Sequence, residues 1–278
     1  MLDPAAAAVR GVWRVIIART KSGIGNARAC AVATMPTLIL SPRYTDDTQA
    51  LWRAATAAGW QVERLAGWRV PPHLRDRRDV VLHVEALFAP MLAEAFGLAL
   101  SSPPEDWLVR LPAEYRRREI RLTTLGEARS LAAPAFVKPP NDKSFPAAVY
   151  AGGDLPRDYD DAMTVLVSEI VAWEQEYRCF VLDRRLMTFS IYSRHGEPQQ
   201  DAGFRSDAAE DDAMRTFVDG VLADPRVDLP RAAVLDVGVI AGRGWACVEQ
   251  NAAWGAGIYG CDPRSVLEVI RHAVMPRD

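Results

Sequence analysis

The stretch Val248-Glu249-Gln250-Asn251 ends an apolar run with an acid and an amide, and two glycines, Gly255 and Gly257, follow it closely. In a β-strand, side chains two residues apart point to the same face, so Glu249 and Asn251 would present their oxygens side by side. Two oxygen ligands that converge on one point suit a hard cation. An ordinary strand end with exposed polar residues would give the same pattern, so the rest of the chain decides between the two interpretations.

A third oxygen ligand, Asp236, lies thirteen residues before Glu249. The apolar segments 233–240 and 245–250 flank a turn with two glycines, which is typical of a β-hairpin. Antiparallel pairing through this turn would place Asp236 beside Glu249 and Asn251, whereas two carboxylates without a cation would repel each other. The hairpin therefore predicts a magnesium site, with the remaining coordination positions left for water and phosphate.

The composition of the 278-residue chain is that of an ordinary globular protein, with 49% hydrophobic and 25% charged residues. Such a length suits one large domain or two of ordinary size. The formal net charge of -3 offers no basic excess for a nucleic-acid backbone and no basic block for a membrane surface. No apolar run approaches the length of a membrane span. We expect a cytoplasmic protein with neither nucleic acid nor membrane as a partner.

Cysteine and histidine residues give no sign of a zinc site. The cysteines are Cys30, Cys179, Cys247 and Cys261, and the histidines are His73, His83, His195 and His272. The cysteines are far apart and form no C-x-x-C pair, which argues against a zinc knuckle and against a dense disulfide framework. The histidines show no metal-ligand spacing. We expect reduced, mostly buried thiols.

Residues 1–34 differ from the rest of the chain, because no acid occurs between Asp3 and Asp46 while arginines punctuate an alanine-rich stretch. This composition is similar to that of a transit peptide, but the stretch has no uninterrupted apolar core of a secretory signal. Met35 immediately precedes the first convincing strand. We expect residues 1–34 to be a poorly ordered extension or the result of a misplaced translation start.

The segment from residue 37 to residue 96 has the pattern of a small α/β domain, which we place at residues 35–102. Strands are predicted at 37–41, 61–65 and 80–84, and helices at 48–58 and 86–96. The serine and proline pairs at 101–104 indicate a boundary. Paired strands then prevail over residues 103–278. Strands are predicted at 135–138 and 165–167, a hairpin at 177–182 and 186–191, and a helix at about 211–222.

The order of these features resembles the ATP-grasp superfamily. The resemblance rests on Asp236, on the Glu-x-Asn motif that follows it, and on Val137-Lys138-Pro139 upstream. It implies an α+β fold in which two α+β subdomains sandwich ATP, preceded by a small α/β domain. It also implies ATP with Mg²⁺, or Mn²⁺ in its place, and activation of a small-molecule or peptide carboxylate as an acyl phosphate for attack by an amine.

The resemblance implies a role for each matched residue. Asp236, Glu249 and Asn251 match the metal ligands of the superfamily, and Lys138 matches the strand lysine that reaches ATP phosphates. The adenine-binding hinge corresponds to Glu169, Ile170 and Val171, and the ribose-binding carboxylate to Glu176. Arg178 and Arg194 match arginines that grip the transferred phosphoryl group or the substrate carboxylate.

Simpler interpretations remain open for several of these residues. Lys138 could be a solvated lysine at a strand end, although its apolar context favours a functional role. Glu176 and Arg178 share one strand face and could form a surface ion pair. Arg194, next to His195, could be loop charge.

The chain also departs from the superfamily pattern. The loop that covers the phosphates is usually rich in glycine, but residues 139–146 contain none, so Lys143 and Ser144 would have to supply donors. The first phosphate lysine has no counterpart, because residues 106–131 contain no lysine, and Arg110 is the nearest substitute. The residues after Asn251 differ from the usual ending, so no substrate can be transferred from a relative.

These features predict an ATP- and Mg²⁺-dependent ligase that joins a carboxylate to an amine or a thiol. Two alternatives stay open. One is an ATP-dependent kinase of a small hydroxyl acceptor. The other is a non-catalytic ATP-binding regulator, which the missing lysine and the glycine-free loop favour and the intact metal ligands disfavour.

Overall fold

The computed structural model describes residues 35–141 and 143–277, so the predicted extension at residues 1–34 lies outside the described part of the chain. A three-stranded parallel sheet comes first, with strand β1 at Thr37–Leu40, strand β2 at Gln61–Arg64 and strand β3 at Val80–His83. The strand order is β2-β1-β3. All four side chains of β1 are buried, as its nearly uninterrupted apolar sequence predicts for the middle of a parallel sheet.

Two helices share the core of this sheet. Helix α1, Asp46–Ala57, begins after Thr45, whose side chain forms a capping box with Thr48. The two acids predicted to open the helix lie in its first turn, where the helix dipole favours negative charge. Helix α2, Ala89–Phe96, starts later than predicted because its early proline, Pro90, fits only the first turn of a helix.

A four-stranded sheet follows a connecting segment. The connection holds strand β4 at Leu98–Leu100 and two one-turn helices, α3 at Trp107–Arg110 and α4 at Ala113–Arg116. The sheet has the order β5-β8-β6-β7, and all of its pairs are antiparallel. Its elements are β5 at Ile120–Thr124, helix α5 at Leu125–Arg129, β6 at Ala135–Lys138, β7 at Ala148–Tyr150 and β8 at Thr164–Ser168.

A five-stranded antiparallel sheet contains both predicted hairpins, which are confirmed. Its strands are β9 at Trp173–Leu182, β10 at Arg185–Arg194, β11 at Glu197–Pro198, β12 at Ala232–Ile240 and β13 at Gly244–Asn251, in the order β11-β10-β9-β12-β13. Helix α6, Ala208–Ala223, packs on one face of this sheet through Met214 and Val218. The register of β12 and β13 shifts between Asp236 paired with Glu249 and Val237 paired with Cys247, so Val248 is the extra residue of a β-bulge.

The C-terminal elements return to the first sheet. Helix α7, Pro263–Ile270, contacts α1, and strand β14, Val274–Pro276, pairs antiparallel with β4. Buried residues of α7, such as Val266, belong to the same core as β1. In the described part of the chain, no helix has both the length and the apolar character that a membrane crossing requires.

Gly238 of β12 gives a test of the packing between β12 and β9. A Cβ atom at Gly238 would lie 2.5 Å from the carbonyl oxygen of Gln175 and 2.9 Å from the ring of Trp173. We expect Gly238→Ala to destabilise the protein by about 1–3 kcal/mol, because the neighbouring strand would have to move. The measurement is the midpoint of urea unfolding.

The matched control is Gly220→Ala in helix α6, where an added Cβ meets no atom within 4 Å. This change should stabilise the helix by roughly 0.5–1 kcal/mol, since alanine is a better helix former than glycine. An unfolding midpoint of Gly238→Ala equal to that of the unchanged protein would contradict the close approach of the two strands.

Candidate functional site

A cavity of about 330 Å³ lies between the four-stranded and five-stranded sheets. The four-stranded sheet contributes mainly apolar side chains to its wall, among them Phe136 and Val149, together with Lys138. The five-stranded sheet contributes Glu176 and Glu249. The cavity therefore has an apolar wall and a wall that carries negative charge.

The three predicted metal ligands converge at one edge of this region. The amide Nδ2 of Asn251 donates hydrogen bonds of 3.0 Å to Oδ2 of Asp236 and of 3.0 Å to Oε1 of Glu249. Asp236 is buried on the middle strand of the hairpin, and the bulge at Val248 turns Glu249 to the same face. The antiparallel pairing expected from the hairpin spacing is the observed one.

Two cationic side chains accompany the carboxylates. Arg178 donates from Nε to Oδ1 of Asp236 at 2.9 Å, from Nη2 to Oδ2 at 2.7 Å, and from Nη1 to the carbonyl oxygen of Gly257 at 2.9 Å. The ring centroid of Tyr259 lies 4.4 Å from the guanidinium carbon. Lys138 donates to Oε2 of Glu249 across the gap between the two sheets. Each carboxylate thus has its own counterion.

The counterions keep both carboxylates ionised. Burial alone would raise the pKa of Glu249, but the ammonium of Lys138 and the amide of Asn251 hold it at about 2. Burial also raises the pKa of Asp236, and the two N–H donors of Arg178 oppose that rise. Conversely, Asp236 raises the pKa of Arg178 although burial acts against the charged guanidinium. The site is therefore a buried, charged network at neutral pH.

The donor set fits a hard divalent cation. Two carboxylates and one amide face a common point, and such oxygen ligands suit Mg²⁺. The oxygen and nitrogen of an amide exchange places by a half-turn of the side chain, so Oδ1 of Asn251 can face the same point. No group of three or more histidine, cysteine, aspartate and glutamate side chains occurs in the described part of the chain, and the third ligand here is an amide.

The predicted hinge lies directly after strand β8 and lines the cavity. The side chain of Glu169 turns outward to Arg243, whose Nη1 donates to Oε2 at 2.9 Å, and this pairing lowers the pKa of Glu169 to about 2. Among the described residues, no hydrogen bond uses the backbone N–H or carbonyl of Ile170 or Val171. The hinge thus offers free backbone donors and acceptors beside exposed apolar side chains.

Glu176 lines the cavity on strand β9 and accepts a hydrogen bond of 2.8 Å from the hydroxyl of Tyr192. Burial raises the pKa of Glu176. Glu176 and Arg178 do not form the surface ion pair that remained open from the sequence, because Arg178 binds Asp236 instead.

Arg194 is not brought to this cluster. It donates from Nη1 and Nη2 to the carboxylate of Glu210 at 2.8 and 2.6 Å, and Glu210 belongs to helix α6 on the other face of the sheet. Alternation along β10 and the first residues of α6 account for this placement. The expected contact of Arg194 with substrate therefore has no support in the geometry.

The residues proposed to replace missing phosphate donors also lie apart from the cavity. Lys143 and Ser144 are exposed on the loop after β6 and do not line it. Arg110 is a surface residue whose Nε donates to Asp106 at 3.0 Å, so it is not the substitute for the absent lysine.

Sequence reasoning missed Arg118 and Tyr192, which both line the cavity. Tyr192 lies within the predicted hairpin's continuation, and a tyrosine next to alternating apolar residues resembles any strand residue. Arg118 precedes strand β5, a strand whose mixed sequence Ile120–Thr124 gave no clear pattern. A basic residue just before an unrecognised strand carried no signal.

The sequence matches one family model, an ATP-grasp domain described as family 2 of its clade, over residues 115–269, which is more than half of the chain. The matched range contains the whole five-stranded sheet and nearly all of the cavity wall. A comparison with curated proteins gives no match.

Solved structures share the fold at low sequence identity. D-cycloserine synthetase DcsG is 16% identical with a TM-score of 0.57, over 84% of this chain and 98% of its own. A RimK domain protein ATP-grasp from Sphaerobacter thermophilus DSM 20745 is 18% identical with a TM-score of 0.51, over 86% and 96%. D-alanine–D-alanine ligase from Bacillus anthracis, complexed with ATP, is 12% identical with a TM-score of 0.52, over 86% and 97%.

These likenesses extend over almost the full length of each relative and confirm the predicted ATP-grasp fold, although identities this low say nothing about substrate. The family match is independent of the coordinates and covers the residues that build the charged network. The chain therefore belongs to the ATP-grasp domain family that this model describes.

Proposed function

We propose that the protein is an ATP- and Mg²⁺-dependent ligase that activates a carboxylate as an acyl phosphate and joins it to an amine or a thiol. The observation that carries this proposal is the convergence of Asp236, Glu249 and Asn251 with two buried cations, Lys138 and Arg178, at one cavity. Family membership supports ATP as the cosubstrate.

The nucleotide base and ribose have matching surfaces in the cavity. A volume of about 330 Å³ is within the ordinary range for small-molecule sites. The free backbone groups of Ile170 and Val171 pair with the polar edge of adenine, and Val149 packs on its face from the opposite sheet. Glu176 accepts hydrogen bonds from the ribose hydroxyls, since its carboxylate has only Tyr192 as a side-chain donor at 2.8 Å.

Binding of the triphosphate redistributes charge among groups that are already in place. Asp236, Glu249 and Asn251 hold Mg²⁺, which supplies a Lewis acid next to the β- and γ-phosphate oxygens. The ammonium of Lys138, released from Glu249, then pairs with a phosphate oxygen. Positive and negative charges stay balanced in both states, so neither state leaves a buried charge without a partner.

Arg178 is placed to act on the transferred phosphoryl group. Three of its five N–H groups are committed to Asp236 and Gly257, and the ring of Tyr259 fixes the plane of the guanidinium. The two remaining N–H groups donate to oxygens of the phosphoryl group in transit. Donors that are fixed before the reaction stabilise developing charge without reorganisation.

The chemistry follows in two steps. A carboxylate oxygen of the substrate attacks the γ-phosphorus, the bond from that phosphorus to the bridging oxygen breaks, and ADP leaves. An amine or thiol then attacks the carbonyl carbon of the acyl phosphate, and phosphate leaves as the nucleophile loses its proton. The protein contributes mainly positioning and electrostatic stabilisation.

Glu249→Gln tests the metal site. Loss of the carboxylate should weaken binding of ATP in the presence of Mg²⁺ by at least about tenfold, because the cation loses one of two charged ligands, while adenosine should bind as before. Calorimetry measures both affinities. The control is Glu174→Gln, the same change on an exposed residue of β9. Unchanged affinity in Glu249→Gln would remove the metal assignment.

Lys138→Met tests the phosphate contact. The variant keeps most of the side-chain volume and loses the ammonium, so ATP affinity should fall at least about tenfold while adenosine affinity stays the same. Equilibrium dialysis with each ligand gives the ratio. If ATP and adenosine bind to Lys138→Met in the same ratio as to the unchanged protein, Lys138 does not contact phosphate.

The reaction products test the class of enzyme. The protein, ATP, Mg²⁺ and a mixture of amino acids and small carboxylic acids should give ADP and phosphate, and added hydroxylamine should trap the acyl phosphate as a hydroxamate. Mass spectrometry identifies the products. A phosphorylated alcohol as the sole ATP-dependent product would replace the ligase by the kinase, and ATP binding without turnover in any mixture would favour the regulator.

A further inference from the structure

The β-bulge at Val248 decides where Glu249 points. In a regular strand, Cys247 and Glu249 would lie on the same face because they are two residues apart. Instead, Cys247 is buried in the core beneath helix α6, and Glu249 faces the cavity. The extra residue in the strand is the reason for this difference. Without the bulge, Glu249 could reach the cavity only if Cys247 left the core.

One side chain outside the strand binds this bulge. Nη1 of Arg118 donates to the carbonyl oxygen of Cys247 at 2.7 Å, and Nη2 donates to that of Val248 at 3.0 Å. Consecutive carbonyls of a regular strand point to opposite edges, so one guanidinium can bind both only while the bulge is present. The bonds of Arg118 therefore select the bulged register.

Arg118 is itself held firmly. The residue is 8% exposed, Nη1 also donates to the carbonyl oxygen of Arg116 at 3.0 Å, and the guanidinium carbon lies 5.0 Å from the ring centroid of Trp173. Burial lowers the pKa of Arg118 to about 10, so the guanidinium is still charged at neutral pH. A buried charged donor that loses its acceptors is costly, which makes the contact with the bulge strong.

The position of Arg118 links the two sheets of the site. The residue precedes β5, which belongs to the four-stranded sheet, whereas the carbonyls that it binds belong to β13 of the five-stranded sheet. Strand β13 is the edge of its sheet, so no further strand fixes the register of its outer side.

We propose that Arg118 is a positioning residue that locks the bulge at Val248 and thereby holds Glu249 toward the metal site. This inference rests on the proposed metal-binding function of Glu249. The guanidinium supplies two N–H donors in fixed geometry, which a lysine ammonium cannot reproduce at both carbonyls. Arg118 acts on the metal only through the strand.

The decisive experiment measures alkylation of Cys247 in Arg118→Lys and needs no nucleotide. Lysine keeps the positive charge, so the variant changes the geometry at the bulge more than the electrostatics around the thiol. With the bulge loosened, Cys247 should react with iodoacetamide at least about tenfold faster than in the unchanged protein. Peptide mass spectrometry separates this thiol from Cys179, which should stay protected in the core.

The control is Arg121→Lys, the same change on an exposed residue of the neighbouring strand β5, which should leave the rate at Cys247 unchanged. If Arg118→Lys does not fold, Arg118→Gln, which removes the buried charge and keeps an N–H donor, takes its place. A rate at Cys247 equal to that of the unchanged protein in a folded Arg118 variant would overturn the proposal, whatever happens to ATP binding.

A second readout connects the bulge to the metal. The dissociation constant of ATP is measured with EDTA and with excess Mg²⁺, and the ratio of the two reports the contribution of the metal. In Arg118→Lys this ratio should fall at least about tenfold, as it does when a residue that orients a metal ligand is lost. A fall of ATP affinity in EDTA with an unchanged ratio would show direct phosphate contact and overturn the proposal.

The two readouts separate the failure of this inference from the failure of the proposed function. If Mg²⁺ does not affect ATP binding in the unchanged protein, the metal site is wrong, and the alkylation rate of Cys247 still decides whether Arg118 holds the bulge.

Discussion

Two buried carboxylates, Asp236 and Glu249, lie within hydrogen-bonding distance of a single amide, and the rest of the site must balance this negative charge. Each carboxylate receives a cation from a different strand. Arg178 comes from β9 beside β12, while Lys138 comes from β6 of the opposite sheet. Removing one partner of a buried pair commonly costs about 3–5 kcal/mol, so these four side chains depend on one another. The pairing of Lys138 with Glu249 is also a direct ionic connection between the two sheets.

The charged network needs a backbone that presents it in the right order. A hairpin with regular alternation would place Cys247 and Glu249 on one face, and a thiol would then stand where the apolar core beneath α6 needs a small buried side chain. The bulge satisfies both faces of β13 at the cost of two carbonyls that the strand ladder does not satisfy in the regular way. Arg118 supplies their donors from outside the sheet. The geometry of the metal site and the packing of the core are thus settled by the same local irregularity.

Periodic features of this structure could be predicted from the sequence, whereas contacts between distant segments could not. The apolar run at Thr37–Leu40 and the spacing from Asp236 to Glu249 carry their own signal, because burial and strand alternation repeat every two residues. Arg194 matched a motif position, but the acid that pairs with it, Glu210, lies on a helix whose orientation no local pattern specifies. Arg118 binds carbonyls 129 and 130 residues away, and backbone acceptors leave no trace in side-chain patterns.

The loop after β6 shows how a departure from a family pattern can be compensated in the fold. Glycine normally lets such a loop come close to phosphates, at the cost of conformational entropy. Here the described residues of the loop are fixed by side chains. Phe145 is buried against the rings of Tyr150 and Tyr159, and the hydroxyl of Tyr150 donates to the carbonyl oxygen of Pro146 at 2.8 Å. A loop anchored in this way loses little entropy when a ligand binds, but it cannot fold its backbone onto the phosphates as a glycine-rich loop does. The positive charge that neutralises the phosphates must therefore come from the strands, which is where Lys138 and Arg178 already stand.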